Sequence, residues 1–187
     1  MSIFDKLKPT ATPVVETSNK KINASETFTF DKLPESLDEL KALPISTLDS
    51  PHKTAALTVC ALCVYAADKN IGIEMLNFLR GPRPLSPMEI QFLDDRFRGG
   101  KYYVPFSYFE GTSPENDYTP ATPFKLTFNS NPYSADNEGY YKLYINSSGA
   151  DSPRQVTLRM KGDGRWFLWE QFLLVDIRIP KSSDPWA

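Results

Sequence analysis

Histidine occurs once in this sequence, cysteine twice and glycine nine times. One imidazole and two thiols fall short of the ligand set of an ordinary structural zinc site. There is no Gly-x-Ser-x-Gly elbow, no phosphate-binding glycine loop and no His-Glu-x-x-His. The usual signatures of hydrolases and nucleotide enzymes are therefore missing, and neither a cofactor nor a bound metal is expected. Charge of one sign is also lacking. The 21 Lys and Arg stand against 23 Asp and Glu, a net charge of −2, which argues against nucleic acid as a partner of the whole surface. No apolar run reaches the length of about 18 residues that a membrane span needs. The start MSIFDKLKP has no apolar core or cleavage site of a signal peptide. A cytoplasmic protein without a transmembrane segment is the expectation.

What the chain has in quantity is proline, at 16 residues, and aromatic side chains, at 13%. A length of 187 residues suits one domain with appended segments. Residues 1–27, rich in Lys, Thr and Ser, read as a flexible N-terminal arm. Within it Ile3, Phe4 and Leu7 would share one side of a short helix and offer a docking element for a protein partner. Residues 28–180 read as a single α+β domain and 181–187 as a C-terminal tail.

Inside that domain the hydrophobic period changes once. Thr27–Phe30 alternates like a short strand, and Ser36 opens a helix that Pro44 ends. Ser50-Pro51 is an N-cap followed by proline at the first helical position, starting a helix to about Asp68. Asn70 is the expected cap of the next helix. Ser86 and Glu89 form a capping box for another, which Gly99-Gly100 ends. Residues 101–123 read as a long ordered loop with one short strand at most. Segments 124–128, 140–145 and 156–160 then alternate with period two, and a fourth strand, 165–172, apolar on both faces, is joined to the third by the turn Gly162-Asp163-Gly164. The fold predicted is α+β, with about three helices packed on one face of an antiparallel meander of about four strands.

Four stretches, GIEMLNFLRGPRPLSPMEIQFLDDR, YVPFSYFEGTSPENDYTP, SSGADSPRQVTLR and GRWFLWEQFLL, resemble a family of uncharacterised bacterial proteins known only as a domain of unknown function. The resemblance covers about residues 30–180. It implies a bacterial single-domain protein and assigns no functional residue.

The residues themselves suggest two sites. If Leu126, Tyr141, Leu143, Ile145, Val156, Leu158 and Met160 face the helices, the opposite sheet face carries Tyr140, Lys142, Tyr144 and Arg159. Trp169 joins them, since the last strand puts Phe167 and Trp169 on one side and Trp166, Leu168 and Phe172 on the other. Something must cover that outer side: the C-terminal segment 177–180, the proline-rich loop, or a partner. Arg154, in a run of small residues, can fork onto a carboxylate or phosphate, or it can pair structurally. Tyr, Trp and Arg are the residues enriched at protein interfaces, so the leading expectation is a non-catalytic binding module with a protein partner. The alternative is a small enzyme, hydrolase-like or metal-assisted, using the loop carboxylates Glu110, Asp117 and Asp136. His52, in the first turn of its helix, is read as a solvated capping-turn side chain. Cys60 and Cys63, mid-helix among Leu, Val and Ala, are read as buried, inert thiols.

Overall fold

The structure is a computed structural model that describes residues 24–187. The docking stretch Ile3, Phe4 and Leu7 lies outside the described residues. Five strands, β1 (Ser25–Phe30), β2 (Phe124–Asn129), β3 (Tyr140–Ile145), β4 (Arg154–Met160) and β5 (Trp166–Gln171), form one antiparallel sheet in the order β1-β2-β3-β4-β5. Four α-helices, α1 (Leu37–Ala42), α2 (Pro51–Ala67), α3 (Lys69–Arg80) and α4 (Pro87–Phe97), lie between β1 and β2 in the chain. The fold is α+β as the change of period predicts. The sheet has five strands rather than four, because the short N-terminal alternation adds to the edge of the meander.

Helix α2 is the centre of the molecule. Ser50 accepts the amide of His52 at its start, and every residue from Thr54 to Tyr65 is buried, so the helix is apolar all round instead of striped. One side lies on β2 to β5 and the other meets α3 and the segment after α4. Its buried hydroxyls are satisfied: Thr54 donates to the Trp166 carbonyl and Thr58 to the Thr54 carbonyl.

Asp68, and not Asn70, caps α3: its carboxylate accepts the amides of Asn70 and Ile71. One residue thus ends α2 and opens α3, leaving the two helices no linker. They cross where a Cβ on Gly72 would stand 2.4 Å from the Tyr65 Cα. The capping box forms as predicted, with Glu89 accepting the Ser86 amide and the Ser86 hydroxyl accepting that of Glu89.

Residues 101–123 contain no strand. They fold into two 3-10 turns, Lys101–Tyr108 and Pro114–Asn116, because their prolines interrupt any ladder while their rings find the core. Val104, Tyr108 and Phe109 are buried, and the Tyr108 hydroxyl donates to the Leu173 carbonyl. This segment also fills a gap in the sheet. Strands β2 and β3 pair through only two residue pairs, Phe128↔Ile145 and Asn129↔Tyr144. Where they part, the Glu110 amide donates to the Lys125 carbonyl instead.

The helix-facing side of the sheet is as the alternation predicts at Leu126, Leu143, Ile145, Val156 and Leu158, all buried. Two positions depart from it. Met160, at the hairpin end of β4, is 45% exposed. In β5, Leu158 pairs with Leu168 and Thr157 with Glu170, so Trp169 is an extra, bulged residue. The bulge reverses the alternation beyond it. Phe172 falls on the outer face with Trp169 and Glu170, not on the inner face with Trp166 and Leu168.

Candidate functional site

Trp169 stands out from β5 between β4 and the α3–α4 connection, and both neighbours send a guanidinium to it. The Arg159 Cζ lies 4.7 Å from the indole centroid and the Arg83 Cζ 4.5 Å. Tyr140 meets the indole edge-on at 5.6 Å and 81°, and Arg159 also lies 5.3 Å from the Tyr140 ring. Cations over aromatic faces gain about 0.5–2 kcal/mol each, so this cluster is held in place rather than waving in solvent. Among the described residues Arg159 has no carboxylate within ion-pair distance.

Arg83 is anchored from behind. The Glu89 carboxylate takes Arg83 at 3.0 Å and the buried Arg80 at 2.6 Å, and Arg80 Nε donates to the Arg83 carbonyl. Burial pushes the Glu89 carboxyl up. The Ser86 amide and hydroxyl and both guanidiniums outweigh that and hold it below its usual range. The anchor is therefore charged at neutral pH.

Three hollows surround the cluster, and Trp169 lines all of them. The first, about 590 Å³, lies between α4 and β5, with Phe92, Leu85, Leu93 and Phe172 in its walls. The second, about 390 Å³, lies between the α3–α4 connection and the β4–β5 hairpin. The third, about 460 Å³, lies on the sheet itself beside Tyr140, Lys142, Thr157 and Glu170. Lys142, Thr157 and Glu170 are in register across β3, β4 and β5.

Of the six residues singled out from the sequence, Tyr140, Lys142, Arg159 and Trp169 come together here. Tyr144 lies further along the same face, in register with Asn129 and Gln155, outside the three hollows. Arg154 is elsewhere. Its guanidinium donates to the carbonyls of Ser152, Val175 and Asp176 and to the Ser152 hydroxyl, tying down the chain after β5. The pairing is structural and leaves little of the fork for a ligand.

Arg83 and Phe92 escaped the sequence reading. The stretch Gly81-Pro82-Arg83-Pro84 signals only a helix break, and nothing local says that the break folds over β5. It does: Gly81 is packed so tightly on the Phe167 ring that a Cβ there would stand 2.5 Å from it. The α3–α4 connection thus covers the outer side of β5 at Phe167. The segment 177–180 packs instead near Gly149 and Tyr118.

The acidic alternative is dispersed. Glu110 is exposed at the start of β2, 3.8 Å from Lys125; Asp117 accepts the Ser182 hydroxyl; Asp136 is exposed in the turn beyond the far end of β2. Among the described residues no group of three His, Cys, Asp or Glu side chains is placed to hold a metal ion.

His52 is not a solvated cap. Its side chain is 12% exposed, with Nδ1 at 3.5 Å from the Glu26 carboxylate, the ring 5.9 Å from Tyr141, and Nε2 buried without a partner. Burial lowers its pKa, and Glu26 pulls the other way. Glu26, which lies on β1, thus reaches the first turn of α2. Cys60 and Cys63 are buried as expected; burial pushes the Cys60 thiol up to about 12 and raises that of Cys63 as well.

No helix of the described residues is long and apolar enough to cross a membrane. No curated protein and no solved structure matches the chain. A family model described as a domain of unknown function (DUF6935) matches residues 32–181, a span containing all four stretches on which the resemblance rested.

Proposed function

The chain belongs to the family of DUF6935 domains, and from that footing we propose that it works as a non-catalytic binding module whose partner is another protein, met across the outer face of the sheet at Trp169. One observation carries the reading: a single half-buried tryptophan lines three adjoining hollows and is held between two arginines and a tyrosine. Trp, Tyr and Arg at the centre of a patch are the composition of interface hot spots, where removing one side chain costs 2 kcal/mol or more, about thirtyfold in affinity. None of the carboxylates Glu110, Asp117 and Asp136 lines the three hollows around Trp169.

The test is affinity capture from cells that make the protein, followed by titration of the recovered partner against purified variants. Trp169→Ala is expected to weaken the partner by about tenfold or more with the fold intact by circular dichroism. The variant Glu110→Gln/Asp117→Asn/Asp136→Asn is expected to bind as the parent does. The reverse pattern would move function to the acidic loops and defeat the proposal.

A further inference from the structure

Resting on that reading, we infer the chemistry of the partner: an acidic segment with an aromatic or branched aliphatic side chain two or three residues from its carboxylates. The apolar side chain seats in the hollow between α4 and β5, and the carboxylates meet Arg159 and Lys142.

Charge gives the first half. The chain as a whole is acidic, at −2, yet the basic side chains lining the three hollows are Arg80, Arg83, Lys142, Arg159 and Lys161. Glu89 and Glu170 are the acidic residues in the same linings, and Lys161 is paired at 3.5 Å with Asp163 of the β4–β5 turn. Glu89 is already spent on Arg80 and Arg83, and Arg159, pinned on Trp169 and Tyr140, keeps its guanidinium donors for an incoming carboxylate.

Exposed apolar surface gives the second half. Phe92 on α4 and Phe172 after β5 are 43% and 42% exposed, come from distant parts of the chain, and wall the same hollow. Its volume of about 590 Å³ is within the range of sites that enclose an apolar group. Trp169 separates this hollow from Arg159. A carboxylate there is one indole width away, roughly 7–10 Å, which is two or three residues of extended chain at about 3.3 Å each.

Other occupants fit less well. The chain's own residues 1–23 carry Lys6, Lys8, Lys20 and Lys21 against Asp5 and Glu16, the same sign as the patch. A nucleic-acid base needs an open ring face, and two guanidiniums already stack at 4.5 and 4.7 Å from the Trp169 ring centroid. Strand addition to β5 is blocked: the Trp166 amide and carbonyl are engaged by Leu48 and Thr54, and Leu168 is only 4% exposed.

The experiment selects peptides from a random display library on the full chain and titrates the winners against Arg159→Glu and Phe92→Ser, both at exposed positions, and against Trp169→Ala. The expected winners are acidic, contain Phe, Trp, Leu or Ile, weaken as salt rises, and lose about tenfold or more with each variant. Basic or uncharged winners, no enrichment, or acidic winners indifferent to Arg159→Glu and Phe92→Ser would overturn the inference. A thymidine oligonucleotide that binds and is released by Trp169→Ala would overturn it too, while leaving the face as the binding surface. Winners indifferent to Trp169→Ala as well would bring down the proposed function with it.

Discussion

His52 shows how one side chain can set a pH dependence. Above the ordinary imidazole value of 6.5 it is neutral in the folded and the unfolded chain, and the full stability is present. As pH falls below 6.5 the unfolded imidazole takes up a proton that the buried one resists, so the unfolded state gains and stability drops, until the lowered folded value is passed. Urea midpoints should therefore fall between about pH 7 and pH 5, ahead of the carboxylates, and His52→Phe should flatten that slope while keeping the ring against Tyr141. A variant with the parent's slope would show that another group titrates there. At this scale the sequence was legible where a residue's role depends on its neighbours in the chain. The Ser86 box and the burial of Cys60 follow from local pattern. His52, Arg83 and Arg154 did not follow, since the partners that define them, Glu26, Trp169 and the carbonyls of Val175 and Asp176, come from remote segments.

Elements meet most closely where α3 crosses α2. On propensity alone, Gly72→Ala would gain nearly 1 kcal/mol, because alanine is the better helix former. Here the new methyl would fall 2.4–2.7 Å from backbone and Cβ atoms of Tyr65, and neither helix can move without disturbing the layer beneath. Overpacking wins: Gly72→Ala should destabilise by about 1–3 kcal/mol, read from chemical denaturation. A neutral or stabilising result would mean that the two helices separate easily. Helix and strand positions were legible from periodicity, but the bulge was not. RWFLWEQF puts four apolar residues in a row, which marks no slip, and only pairing with β4 reveals that Trp169 is the extra residue that sends Phe172 outward. The candidate site depends on that slip, so its residue types were readable and its full membership was not.

For the molecule as a whole, α2 is the reporter. Both thiols lie in the one helix covered on every side, so a disulfide-exchange reagent should reach them only when the entire domain opens. Labelling of Cys60 and Cys63 should proceed together at the global unfolding rate; faster labelling of either would reveal a partial opening. Fold class was legible at this scale because helices precede strands, whereas the edge position of β1 required its remote pairing to be seen. That pairing has a kinetic side. Thr27 bonds Thr127 across 100 residues, and α1 to α4 lie within the loop thus closed. The meander of β3, β4 and β5 needs only short loops, but β1 behaves as a clasp that fastens after its contents are assembled. Thr27→Ala should accordingly speed unfolding and leave the folding rate nearly unchanged, a φ-value near zero, and β1, made before the other four strands of the sheet, would be the last of them to lock.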